Sequence, residues 1–331
     1  MRLIQLDVFR GVACLMVLLF HYTTMYSNIF NDSVTIQLVN FKYGGLGVDL
    51  FFIISGFVIF LTINKNNSPL QFLLKRFVRL YPTFWICVLI TFFLVHLSDL
   101  NLYKRSISDL LVNLTMIPDV FGVPRVDGVY WSLLPELVFY LMCYLAILLK
   151  QLKSINVICA IWLLLILSNH FIDYPPLRVL LNLRFGHLFI IGIYFYKLMH
   201  EKNKWMNHLF ILMSLLVAFF INTSVSKSLF LIVFITFFYL LVYKKLDWLK
   251  FAPLAKLGEI SYALYLTHQF IGYIIIAFLI KSNITNPFML ICIPLSLSIF
   301  ITALITFYLE KPLRNFTNRH ITKIQAVKFS K

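Results

Sequence analysis

Apolar stretches of roughly 17 to 25 residues follow one another along almost the whole chain, each long enough to cross a hydrocarbon core of about 30 Å as a helix. Ten can be placed, at about 8–26, 45–63, 80–97, 131–149, 155–171, 185–199, 207–222, 227–243, 258–280 and 287–309. Lipid offers backbone amides no water to bond, so such stretches must satisfy their own polar groups as helices. The expected fold class is therefore all-α: a polytopic integral membrane protein with about ten transmembrane helices. Composition agrees, because 61% hydrophobic and only 13% charged residues, with a mean hydropathy of +0.88, leave no water-soluble globule to build.

An even number of spans puts both termini on one side, and the basic residues say which. If the N-terminus is cytoplasmic, only Lys42, Lys104, Arg105, Arg125, Arg178, Arg184, Lys227 and Lys281 face outward, 8 of the 29 Lys and Arg. The other 21 face the cytoplasm, as the positive-inside rule requires of an N-in, C-in protein. The net charge of +16 is thus topological, which argues against a nucleic-acid partner and for membrane lipids. The first span lacks a small-residue cleavage site and reads as a retained helix of a cytoplasmic (inner) membrane protein. Residues 1–315 form the expected membrane domain and 316–331 a short basic cytoplasmic tail, with no additional soluble domain. Cys14, Cys87, Cys143, Cys159 and Cys292 fall inside spans without metal or redox spacing, and no metal is expected.

Ionisable groups inside the spans are the functional candidates, because charge in hydrocarbon is costly. Arg10 opens the first span, and His21 sits roughly 20 Å from the cytoplasmic boundary, about 10 Å from the outer one. Asp49 lies roughly 6 Å and Glu136 roughly 8 Å below that boundary. A carboxylate beside His21 would hold the imidazole in one tautomer and make it a better general base. The same three groups would also serve as a hydrogen-bonded packing cluster.

At the cytoplasmic face, Arg76 and Arg79 are three residues apart and project from one side of a helix. With Arg10 they would clamp a phosphorylated ligand, or else anchor anionic lipid heads. Ser55-Gly56 and the stretch Gly258 to His268 add small and polar residues nearer mid-depth, where His268 again asks for a partner. The longest segment between spans, 98–130, is a candidate outer lid, and its Tyr103, Phe121, Tyr130 and Trp131 would either stack on sugar rings or form an interfacial belt. A cationic entry below and a His-carboxylate group above suit a cytoplasmic phosphorylated donor and an outer acceptor. They equally suit a proton-coupled transporter or flippase of a lipid-linked glycan or small acid.

Six motifs in order over residues 7–312 resemble those of the integral-membrane acyltransferase-3 family, which includes bacterial O-acyltransferases of surface polysaccharides. They are Arg10 with His21, Gly47 to Phe57, Arg76 to Pro82, Trp131-Ser132 with Glu136, Ile260 to His268, and Glu310-Lys311-Pro312. The resemblance implies a ten-helix enzyme that moves an acyl group, usually acetyl, from cytoplasmic acyl-CoA to a hydroxyl of an extracytoplasmic polysaccharide or lipid-linked glycan. It implies Arg10 and His21 as the essential pair, with Asp49 and Glu136 at the catalytic end and Arg76 and Arg79 toward the donor, acetyl-CoA. Ser55, Trp131, Ser261 and His268 are left between architecture and function. Direct attack by the acceptor and relay through an acyl-His21 both remain open.

Overall fold

The computed structural model describes residues 3–30, 40–63, 68–202, 204–222, 224–313 and 315; the expected tail over 316–331 lies outside them, as do Arg2, Lys65 and Arg314. Among the described residues the fold is all helical, with no strand. Ten long helices carry it: α1 (Ile4–Phe20), α2 (Gly47–Ile63), α3 (Pro69–Leu97), α4 (Leu133–Leu148), α5 (Ile155–Ile172), α6 (Gly186–His200), α7 (Trp205–Ile221), α8 (Val225–Val242), α9 (Ala252–Lys281) and α10 (Pro287–Leu304). With their flanking turns, eight are long and apolar enough to span a bilayer. The other two, α6 and α7, run for 15 and 17 residues at the positions of the sixth and seventh expected spans.

The chain gathers into two compact units, each drawn from three segments. Residues 1–16, 45–73 and 132–259 make the first, and residues 17–44, 74–131 and 260–331 the second.

In the first unit α6 is the interior element. Every residue from Gly186 to Leu198 is buried, as expected of a helix apolar on all sides. It meets α2 where two glycines let the backbones touch. A Cβ on Gly56 would lie 2.2 Å from the Phe189 carbonyl oxygen, and one on Gly192 would lie 2.1 Å from that of Ile53. Without a hydrophobic drive between helices in lipid, such close small-residue crossings carry much of the packing. Gly192→Ala is therefore expected to cost about 1–3 kcal/mol or more through overpacking. Size-exclusion chromatography of detergent extracts should show the monodisperse fraction falling. The same device joins α1 to the start of α9, where Gly258 faces the Asp7 carbonyl and Gly11 that of Leu254.

In the second unit the segment expected to be an outer lid is folded and tied down. Ser106 and Asp109 form a reciprocal capping box on the short helix Ile107–Asn113. The buried Asn113 donates to the Asp109 and Pro124 carbonyls and accepts from the Val126 amide. Tyr81 and Trp85 of α3 bond the Thr115 and Leu114 carbonyls. Its apolar side chains Leu102, Ile107, Leu111 and Phe121 remain exposed, as an interfacial segment would leave them. In the same unit α10 starts cleanly, with Asn286 capping the Phe288 and Met289 amides and Pro287 in the first turn. Four of the cysteines are buried and Cys292 is exposed, with none of the five in a disulfide among the described residues.

Candidate active site

His21 opens a π-helical turn, His21–Met25, that interrupts the first span. The local cause is side chains competing for the carbonyls of the preceding turn. The His21 ring takes the Val17 carbonyl at 2.9 Å, and the Thr23 hydroxyl donates to the Leu19 carbonyl at 2.6 Å. Such wide turns recur at functional sites because they re-aim a side chain.

The His21 ring meets a second imidazole. His268 Nε2 lies 3.2 Å from His21 Nδ1, with the ring centroids 4.8 Å apart and nearly perpendicular. The tautomers follow from the partners. His268 Nδ1 faces the carbonyl oxygens of Tyr265 and Leu264 at 2.9 and 3.2 Å. A bare lone pair there would be repelled, so Nδ1 carries the hydrogen and His268 Nε2 is an acceptor. His21 Nδ1 in turn sits between the Val17 carbonyl and that acceptor, so it too carries a hydrogen. This leaves His21 Nε2 as an unprotonated lone pair on a half-buried ring, which is the form a general base needs. If the ring takes a proton, its Nδ1–H already points at two acceptors that stabilise the imidazolium.

The next residue holds this arrangement in place. Tyr22 is fully buried, donates to the His268 carbonyl at 3.0 Å, and pairs with the Ser298 hydroxyl of α10 at 2.8 Å. Gly272 makes the room, since a Cβ there would lie 2.0 Å from Tyr22 Cε1.

The other predicted residues fall as follows. Arg76 and Arg79 share the second unit with His21, one turn apart on α3, Arg76 buried and Arg79 half-buried. Arg10 is in the first unit and pairs with Asp7 at 3.1 Å. Asp49 and Glu136 are also in the first unit. Glu136 Oε1 accepts from Ser55 at 3.1 Å and from Tyr140, so the Ser55-Gly56 step that sequence left undecided joins α2 to a predicted carboxylate. Asp49 lies in the field of Lys227 and Arg184. The residues sequence reasoning missed are Tyr22, Gly272 and Ser298, and it left His268 without a partner. The sequence signal was present in part: His268 is a lone polar group on an apolar span, and Tyr22 adjoins His21.

A profile of the acyltransferase domain family matches residues 3–307 of this chain. The chain belongs to the acyltransferase-3 family. Curated members of similar sequence include acyltransferase MdmB of Streptomyces mycarofaciens, 31% identical over 104 residues, and an O-acetyl transferase of Shigella phage Sf6, 26% identical over 154 residues. Peptidoglycan O-acetyltransferase OatA of Listeria monocytogenes is 29% identical over 133 residues. The matches cover 30%, 43% and 34% of this chain and only 27%, 45% and 21% of the respective relatives. No solved structure matches the chain.

Proposed function

We propose that this protein is a bacterial cytoplasmic-membrane O-acyltransferase that moves an acyl group, acetyl in the first instance, from acetyl-CoA on the cytoplasmic side to a hydroxyl of an extracytoplasmic surface glycan. The observation that carries the reading is the fixed tautomer of His21, which presents a bare Nε2 at a half-buried position in a membrane acyltransferase. The names of two relatives, both O-acetyl transferases, support the acyl group and the hydroxyl acceptor.

In the reaction His21 Nε2 takes the proton of the acceptor hydroxyl as its oxygen attacks the thioester carbonyl carbon. The C–O bond forms, the C–S bond breaks, and the proton passes from the imidazolium to the leaving thiolate, giving ester and CoA thiol. His268 and the Val17 carbonyl steady the imidazolium meanwhile. Arg76 and Arg79 neutralise the donor phosphates, for which guanidinium groups are suited by their planar fork.

The test is the O-acetyl content of the surface glycan, read by NMR, in cells lacking the gene and in cells with it restored. The proposal expects the acetyl signal to vanish and return while polymer yield stays constant. Unchanged acetylation with altered polymer export would refute it.

A further inference from the structure

The segment that joins α3 to α4 is anchored far below the surface it was expected to cover. Tyr81 and Trp85 hold its Thr115 and Leu114 carbonyls at 3.2 and 2.9 Å. They lie sixteen and twelve residues before Leu97, the end of α3 that the charge bias places outside. At about 1.5 Å per residue, those anchors are roughly 24 and 18 Å below that end. Helix α9 gives the same depths independently. Its Tyr265 hydroxyl donates to the Val129 carbonyl at 3.0 Å, and its Gln269 faces Gly128, where a Cβ would fall 2.9 Å from Oε1. These two residues are sixteen and twelve before Lys281, again roughly 24 and 18 Å down. The two outer ends meet, since Lys281 pairs with Asp99 at 3.2 Å. Side chains lean toward the N-terminus of their helix, here the cytoplasmic end of both, so the anchors are no shallower than the Cα positions suggest.

With 29 and 30 residues, α3 and α9 are longer than a core of about 30 Å requires. Even with roughly 10 Å of each helix standing clear of the membrane, the anchors lie inside it. The length of α4 agrees. Its 16 residues reach only about 24 Å, too short to cross the core alone, so the chain has already descended when this helix begins.

We propose that residues 99–131 are a re-entrant element that dips from the outer face to the depth of the His21–His268 pair and lines a water-filled entry by which the acceptor hydroxyl reaches it. That the acceptor uses the entry rests on the acyltransferase reading above; the depth of the element and its hydration do not.

Non-helical backbone survives at such depth only where protein or water satisfies it. Protein does part of this, through Asn113 within the segment and through Tyr81, Trp85 and Tyr265 from the flanking helices. The remaining polar groups are open. Ser106, Ser108, Thr115 and Gly128 are exposed, and Arg125 pairs with Asp119 at 2.8 Å while about a third of each side chain stays accessible. Arg125 lies between Pro124 and Val126, both bonded to Asn113, so this ion pair belongs to the deep part of the segment. Hydrocarbon against a charged pair and free hydroxyls would be costly, whereas water in an outward-opening entry hydrates them. Leu102, Ile107, Leu111 and Phe121 form the exposed apolar remainder, which suits lipid.

Depth links the element to the chemistry. His268 falls between the two α9 anchors, Tyr265 and Gln269, and is thirteen residues from Lys281, roughly 20 Å down. A glycan hydroxyl could not reach that level through hydrocarbon without shedding its water.

The experiment uses the full chain with its exposed native thiol removed, Cys292→Ser, and one new cysteine added. Ser282→Cys, just past the end of α9, marks the surface, and Thr115→Cys marks the deep part of the segment. Right-side-out membrane vesicles are treated from outside with a small cationic methanethiosulfonate or with a bulky poly(ethylene glycol) maleimide. Ser282→Cys should react with both, and Thr115→Cys with the small reagent but tenfold or more slowly with the bulky one. Equal reaction of Thr115→Cys with both reagents would show a surface cap and overturn the proposal. No reaction with the small one, in protein that remains monodisperse, would exclude the water-filled entry. In proteoliposomes given acetyl-CoA and unmodified glycan, the small cation on Thr115→Cys should slow acetyl transfer tenfold or more with the donor KM unchanged. Undiminished transfer after complete labelling would overturn the acceptor route. Absence of transfer by unlabelled wild-type protein would overturn the acyltransferase reading instead, with the labelling pattern still deciding the depth and hydration of the element.

Discussion

Replacing His21 by alanine is expected to slow acyl transfer by about 10²- to 10⁴-fold, the usual worth of a positioned general base. The protein should still assemble at wild-type abundance, because the half-buried His21 ring fills little of the packed interior. The expectation follows from hydrogen bonding, since carbonyls on one nitrogen of each ring leave His21 Nε2 as the free lone pair of the pair. His268→Phe keeps an aromatic ring in the buried site but removes the Nε2 acceptor. Its effect should be smaller, about tenfold, the equivalent of one hydrogen bond in the transition state. CoA release measured under saturating donor and acceptor reads both rates. If His21→Ala retained most of the wild-type rate, the proposed role of the ring would be wrong.

Gly272→Ala should be the most damaging change that touches no reacting group. A methyl at that position would sit 2.0 Å from the Tyr22 ring, which cannot yield while its hydroxyl is held by the His268 carbonyl and Ser298. Tyr22 leads directly out of His21 in the π-turn, so displacing it turns the imidazole away from His268. Losing two hydrogen bonds and the ring's registration should lower kcat by about 30- to 100-fold, with the donor KM unchanged. Tyr22→Phe keeps the ring and loses only the hydrogen bonds, so a fall of about tenfold is expected. The double variant Gly272→Ala/Tyr22→Leu separates packing from positioning. It should restore membrane abundance through relief of the clash but leave kcat low, whereas recovery of kcat would show that Tyr22 merely fills space.

Much of the fold was legible in the sequence, because hydrocarbon imposes a period and a length that few other environments impose. Each of the ten apolar stretches coincides with a helix, including the two shorter ones, α6 and α7. An interior helix such as α6 need not match the bilayer thickness, since protein surrounds it from Gly186 to Leu198. The site was legible only in its individual residues. Arg10, His21, Asp49, Arg76, Arg79 and Glu136 stand out as charges in apolar surroundings, but depth along a span does not say which helices adjoin. Depth suggested a carboxylate beside His21, and depth did not point to the imidazole of His268 that the ring meets within its own unit, more than two hundred residues along the chain. Tyr22 and Gly272 are ordinary residues until tertiary packing brings the phenol against the glycine. The segment 98–130 read as a candidate outer lid because it is the longest stretch between spans. The buried Asn113, which no local pattern marks, is one of the residues that tie it down, with Tyr81 and Trp85 of α3.

The proposed reaction builds an ester from a CoA thioester and a glycan hydroxyl. It is tested most directly by supplying carbon-13-labelled acetyl-CoA to proteoliposomes containing the purified protein and unmodified glycan, then recording the NMR spectrum of the recovered glycan. The expected product is a labelled acetyl ester that mild alkali removes and that is missing when His21→Ala protein is used. Glycan recovered without label, with acetyl-CoA intact and the wild-type protein folded, would contradict it.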